Sequence, residues 1–360
     1  MKVLNEIKNP EITKNILKKL NEDKIEPITI MEVCGSHTMS IMKSGLKGLL
    51  PSNIKLISGP GCPVCVTPQG YIDTAIELSK EENIIITTFG DLIRVPGTHS
   101  TLQKEKALGQ DIRVVYSPLD SLKIAEENKD KEVIFLAVGF ETTVPTIALA
   151  INNAKKKGIE NFSILNSLKT MPSAMKTLIL DSELKVDGFL CPGHVATIIG
   201  SAEFDKIAKK YNIPLVVAGF ESTDIVASIY KIIEARDEKE STAFNMYSRI
   251  VKKEGNIKAL DMIYEVFKPC ESTWRGLGTI EAAGLKLCEE YRQFDILKKL
   301  NKEMIKVEPK KGCICGDILK GIREPKDCKL FGKTCNPISP VGACMVSEEG
   351  TCSAYYKYNR

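Results

Sequence analysis

Six of the twelve cysteines crowd into residues 313 to 352, and three more, Cys34, Cys62 and Cys65, lie close to the start. Thiols used this heavily serve redox chemistry, soft-metal binding or crosslinking. In the tail, Cys313, Cys328, Cys335 and Cys352 are separated by fourteen, six and sixteen residues, which leaves Cys315 and Cys344 as two further thiols. Structural zinc favours close C-x(2)-C pairs on tight knuckles, and this segment has none. Wide, irregular spacing among Pro and Gly suits a 4Fe-4S cube, whose irons present separated corners to four thiolates. Zinc and disulfides remain alternatives. A cluster beside two spare thiols can pass electrons singly to a disulfide, although Cys315 and Cys344 are equally readable as small buried residues.

Near the start, GPGCPVC (59–65) is a C-x-x-C motif in a Gly- and Pro-rich turn, where two sulfurs can join and one thiolate can be stabilised by its neighbour. No second C-x-x-C completes a zinc site, so redox work is the favoured reading. Cys34 ends a strand-like run in EVCGSHT, with His37 three residues on, a pairing suited to nucleophilic catalysis or a soft-metal site. The chain has three histidines, and two of them, His37 and His194 (in CPGHV), fall in Gly-rich loops at strand ends. Each is also readable as a hydrogen-bonded structural histidine, and for His99 in RVPGTHS that reading is preferred. Glu141 in VGFETT and Glu221 in AGFEST stand at the carboxyl ends of strands, where open α/β sheets place their binding crevices; they also suit helix capping. A dinucleotide site is not expected, because no G-x-G-x-x-G joins a strand to a helix.

The elements that must carry these residues follow from periodicity. Residues 11–21 have helical spacing. Short apolar runs at 28–33, 54–57, 83–89, 112–116, 133–140, 162–166, 188–191 and 214–220 alternate with helical patterns such as YIDTAIELSKE and DSLKIAEEN. Strands that are apolar throughout belong to parallel sheets covered on both faces. The fold class is therefore α/β, with two doubly wound parallel-sheet domains plus a helical and Cys-rich domain. The expected boundaries are 22–118, with 212–235 as a further contribution, then 119–211, then 236–360, with residues 1–21 packing on the last. Between 225 and 305 the pattern reads as a helical connector. After residue 307 periodicity gives way to Pro, Gly and Cys, and such a stretch needs a metal or crosslinks to hold it.

At 360 residues the chain exceeds one ordinary core, and its 43% apolar and 27% charged content is that of a soluble globular protein. Fifty basic against 46 acidic residues leave a net charge of +4 with no basic block, which argues against nucleic acid. The start has no apolar signal core and no run approaches a membrane span, so a cytoplasmic protein without a membrane partner is expected, monomeric by itself.

The blocks CGSHT, GPGCPVC, FGD (89–91), RVPG (94–97), VGFETT, CPGHV, GFE (219–221), WRGLG (274–278), CICGD, LFGKTCNP, P-x-GACMVS-x-EG-x-C and AYYKY together resemble the [NiFe]-hydrogenase maturation family HypD, over residues 28 to 358. The resemblance implies two α/β domains and a third holding a 4Fe-4S cluster. It also implies work with the chaperone HypC and the cyanide carrier HypE to build the Fe(CN)2CO moiety of the hydrogenase. By motif, Cys313, Cys328, Cys335 and Cys352 match the cluster cysteines, Cys315 and Cys344 the accessory redox pair, and Cys62 and Cys65 the C-x-x-C thiols. Cys34 matches the cysteine that holds the transient iron together with HypC, and His194 and His37 fall in motifs lining the same cleft. The rival readings are a cluster-dependent thiol-disulfide oxidoreductase and a zinc-stabilised interaction protein.

Overall fold

The computed structural model describes residues 10–307 and 312–358. Eleven strands are described: β1 (Ile28–Glu32), β2 (Ile54–Ser58), β3 (Ile84–Thr88), β4 (Ile112–Val114), β5 (Glu132–Gly139), β6 (Phe162–Leu168), β7 (Gly188–Pro192), β8 (Leu215–Ala218), β9 (Ala243–Asn245), β10 (Phe267–Trp274) and β11 (Gly278–Leu287). One sheet has the order β2-β1-β7-β8-β9 and a second the order β4-β3-β5-β6; every pairing within them is parallel.

The strands predicted from apolar runs all form, and their burial explains why those runs are unbroken. Successive residues face opposite sides of a sheet. In the first sheet Met31, Val33, Leu215 and Val217 enter one core while Ile28, Ile30, Val216 and Ala218 enter another. In the second, Ile86, Ile134 and Leu136 point one way, and Ile85, Val133 and Phe135 the other. Both faces of both sheets are thus buried. One face of each sheet shares a single core that also takes in Trp274, Ile318, Cys328, Cys335, Cys344 and Cys352.

Sheet membership differs from the contiguous grouping expected. Strands 84–88 and 112–114, grouped by chain order with residues 22–118, belong to the sheet of β5, 84–88 pairing with β5 and 112–114 with 84–88, whereas β7 (188–192), grouped with 119–211, pairs with β1. The chain leaves the first sheet after β2, builds the second, and comes back at β7. β8 adds to the first sheet beside β7. The helix Pro10–Glu22 packs on the first-sheet unit and not on the tail: Leu20 joins the core of Ile28 and Ile229, and Thr13 Oγ1 lies 2.7 Å from Thr223 Oγ1. Residues 1–9 lie outside the described part.

The helical connector is also corrected. Helices Ser222–Asp237 and Ile257–Val266 form, but AFNMYSRIVKK supplies edge strand β9 and a turn, and the segment from 267 to 287 is an antiparallel hairpin, β10 with β11. Its tight end is WRGLG, where Gly276 (φ 82°) and Gly278 (φ 77°) take backbone conformations that a side chain disfavours. The tail is short helices and turns laid on the first sheet. Its last helix, Thr351–Tyr358, packs through Ala354 and Tyr355 on Met42 of helix Gly35–Lys43. Lys47 Nζ reaches both Glu324 Oε1 at 2.6 Å and Tyr355 Oη at 2.5 Å. Among the described residues no helix is long and apolar enough to cross a membrane.

Candidate thiol and metal site

In the first sheet the strand order reverses between β1 and β7, and open parallel sheets form their crevice beyond the carboxyl ends of strands at such a point. Cys34 follows β1 there, His194 follows β7, and the Gly219–Phe220 turn follows β8. Cys34 is the extended N-cap (φ −143°, ψ 124°) of helix Gly35–Lys43, with its thiol buried. That burial, with the Glu349 carboxylate nearby, pushes the thiol up to about 12. A buried lone thiol of this kind ionises only when a metal takes the proton's place.

His37 is fully buried, and its Nε2–H donates to Gly219 O at 2.9 Å, which leaves Nδ1 as an acceptor with no partner. Desolvation holds its imidazole neutral, down to about 4. Phe220 lies between the two histidines: its ring is 3.9 Å from that of His194, stacked, and 4.8 Å from that of His37. His194 is exposed and its pKa is lowered by desolvation against the ring. His37, three residues after Cys34, and His194 thus flank one ring, Phe220, beyond the carboxyl ends of β1, β7 and β8.

The GPGCPVC loop follows β2, the neighbour of β1, and is pressed onto Cys34. Gly35 N–H donates to Gly61 O at 3.0 Å, and a Cβ on Gly61 would stand 2.4 Å from the Cys34 nitrogen, so only glycine allows this approach. Cys62 caps the one-turn helix Pro63–Val66: its Sγ accepts the Cys65 N–H at 3.3 Å and lies 2.7 Å from Cys65 Sγ.

Cys344, almost fully buried, bridges this motif to the tail by hydrogen bonding to both Cys65 and Cys315, and Cys315 in turn bonds Cys313. With two thiols donating to it, Cys344 is held well below the ordinary thiol range, while its partner Cys65 is pushed up by burial. Five sulfurs, Cys62, Cys65, Cys344, Cys315 and Cys313, thus form one unbroken run. At its far end Cys313, Cys315, Cys328, Cys335, Cys344 and Cys352 line a single enclosed space walled by Ile318, Leu330, Phe331 and Met345. Every donor there is sulfur, and Val341 N–H donates to Cys335 Sγ at 3.3 Å. A sulfur-only, apolar-walled chamber fits a metal that prefers thiolate, with backbone N–H···S bonds to orient and tune it. Among the described residues no group of three or more His, Cys, Asp or Glu side chains is placed so that it could hold a metal ion as it stands.

The remaining predicted residues divide. Glu221 is the N-cap of helix Ser222–Asp237, where Asp224 accepts its N–H at 3.3 Å, so the capping reading applies to it. Glu141 instead accepts the N–H of Met171, the first residue of another helix, at 2.9 Å. His99 is exposed on the loop after Gly97. Cys191 is a buried core residue of β7, and Cys270 and Cys288 are half-buried, away from the tail chamber.

Three contributors went unread in the sequence. Glu32, two residues before Cys34, is buried beneath the crevice with Oε1 accepting from Ser58 at 2.6 Å and Oε2 unpartnered; burial pushes it up to about 7. Glu349 accepts from Ser36 at 2.7 Å and clamps the tail over Gly35. Arg275 is tied to the C-x-x-C helix through Val66 O (2.7 Å) and Thr67 O (2.9 Å), and its guanidinium favours the thiolates of Cys313, Cys315 and Cys344. The signal for Arg275 was WRGLG itself, an arginine in a Gly turn; Glu32 sits in an apolar strand with nothing local to mark it.

A family model for HypD, described as the hydrogenase formation hypA family, matches residues 11–359. A Methanocaldococcus jannaschii protein named for hydrogenase expression and formation is 44% identical, with 98% of this chain and 99% of that protein covered. The hydrogenase maturation factor HypD of Rhodobacter capsulatus is 42% identical over 99% of this chain and 98% of its own length. The factor of the same name from Escherichia coli K12 is 40% identical, with 100% of this chain and 99% of that protein covered. A family match over nearly the whole length, with relatives this similar end to end, means that the chain belongs to the HypD family.

Proposed function

We propose that this protein acts in hydrogenase maturation as a redox-active scaffold, assembling the Fe(CN)2CO moiety together with a HypC-type chaperone and a HypE-type cyanide carrier. It works inside that complex and not as a free-standing turnover enzyme. The observation that carries the reading is the unbroken run of five sulfurs from the C-x-x-C loop, itself pressed onto Cys34, to the tail chamber. In this reading Cys313, Cys328, Cys335 and Cys352 hold a 4Fe-4S cluster, which when bound supplies single electrons.

The chain's own thiols do the rest. Starting from a Cys62–Cys65 disulfide, the Cys344 thiolate attacks Cys65 Sγ, the Cys62–Cys65 bond breaks, and Cys62 leaves as thiolate. Cys315 then attacks Cys344, which frees Cys65. The sum is a Cys62/Cys65 dithiol and a Cys315–Cys344 disulfide, with no net change in electrons. Restoring the Cys315 and Cys344 thiols takes two protons and two electrons from an external one-electron donor, which a bound cluster would pass on one at a time. Cys34 holds the substrate iron with a thiolate from the chaperone, His194 and the neutral His37 line the crevice, and the reduced thiols keep the iron in the state that binds cyanide and CO. The test is anaerobic co-purification with a HypC-type partner followed by infrared spectroscopy: wild type shows metal-cyanide and metal-carbonyl bands, and Cys34→Ala loses them. Bands of full intensity in Cys34→Ala would remove Cys34 from the ligand set. Reduction of a generic disulfide without either partner would favour the oxidoreductase reading instead.

A further inference from the structure

Between the two sheet units lies a cavity of about 280 Å³ that shares no residue with the cysteine sites. Glu141, just past the end of β5, lines it. Glu141 is 4% exposed, and only half of its carboxylate is satisfied: Oε1 accepts the Met171 N–H, while Oε2 is buried with no donor. Leaving a buried acceptor unpaired is costly, so a ligand that brings a donor gains from it. The walls are apolar, formed by Ile199, Leu260, Ile263 and Leu285, with the Tyr264 side chain among them. Among the described residues no Lys, Arg or His lines the cavity. The adjacent Lys169 is turned to Ser272 Oγ at 2.6 Å, and the second acid, Glu203, is paired with Lys206 at 2.5 Å. A lining carboxylate with one unpartnered oxygen, beside apolar walls, suits an organic cation with a hydrocarbon stem. It does not suit a hard metal ion, which needs six or more oxygens. The volume sits near the lower end of the roughly 300–1,000 Å³ typical of small-molecule pockets, which also favour interfaces between domains.

We propose that this interdomain cavity binds a primary alkylammonium group, with Glu141 Oε2 accepting its N–H and the apolar walls holding its chain. The site is separate from the thiol chemistry and stands or falls without it. Titration calorimetry on the full-length protein, anaerobically at pH 8, with n-butylammonium and with n-butanol as the neutral probe of the same shape, tests this. Saturable binding of n-butylammonium at least tenfold tighter than of n-butanol is expected. Glu141→Gln should weaken n-butylammonium at least tenfold and leave n-butanol unchanged, while Ser173→Phe, which puts a bulky ring on the cavity lining, should abolish both without lowering the melting temperature. Equal affinity for the two probes, unchanged n-butylammonium affinity in Glu141→Gln, or no saturable binding would each overturn the proposal.

Discussion

In the proposed relay Cys344 joins the two halves of the chemistry, because it hydrogen bonds both the C-x-x-C cysteine Cys65 and the tail cysteine Cys315. Replacing it with serine keeps the volume and removes the exchangeable sulfur. In Cys344→Ser a Cys62–Cys65 disulfide should survive addition of dithionite at least tenfold longer than in wild type, read by differential alkylation and mass spectrometry, with iron content unchanged. Equal rates would place the electron path elsewhere. At this scale the sequence was informative wherever residue type alone implied chemistry, but the two histidines expected in strand-end loops stand in the first turns of the helices that follow, His37 in Gly35–Lys43 and His194 in Gly193–Ile199. It was silent on Glu32 and on Phe220. Their roles come from the end of a neighbouring strand in space, β2 for Glu32 through Ser58 and β7 for Phe220 through His194, which no local spacing reveals.

The elements meet at contacts too close for side chains. Gly61→Ala would drive a Cβ into the Cys34 backbone and part the GPGCPVC loop from the crevice. A loss of about 1–3 kcal/mol is expected, measured by chemical denaturation; a loss within error would mean that the loop shifts freely. Glu32, at the end of β1, adds a pH signature. Its carboxyl ordinarily titrates near 4.5 and in the folded protein near 7. Between those values the folded state holds a proton that the unfolded chain has released, so stability falls as pH rises through this window and levels off above it. The cost at pH 8 is up to about 3 kcal/mol. Glu32→Gln should therefore flatten the fall in melting temperature between pH 5 and pH 8, and an unchanged fall would contradict the burial argument. Strand positions were legible because both-face burial leaves unbroken apolar runs. The hairpin was not: β10 is buried at its two ends, Phe267 and Trp274, and half-buried or exposed between them, so its alternation is weak, and Leu285–Leu287 joins β11 although the Leu, Lys and Glu that follow do form helical turns at Glu289–Phe294 and Ile296–Lys299.

Across the whole molecule, one shared core joins both sheets to the tail, and the tail's last helix lies on the helix that begins at Cys34. That long-range return explains why contiguous grouping misplaced β3, β4 and β7: local pattern identifies strands but not their neighbours. The same arrangement puts a chamber of six cysteines within one thiol run of the crevice. The central claim is that this chamber carries an iron-sulfur cluster, and iron and acid-labile sulfide assays with a visible spectrum, on protein purified without oxygen, test it most directly. Brown protein with iron and sulfide in about equal amounts is expected, lost in Cys335→Ser and kept in Cys344→Ser. Colourless protein holding zinc, or neither iron nor sulfide even after reconstitution, would contradict it.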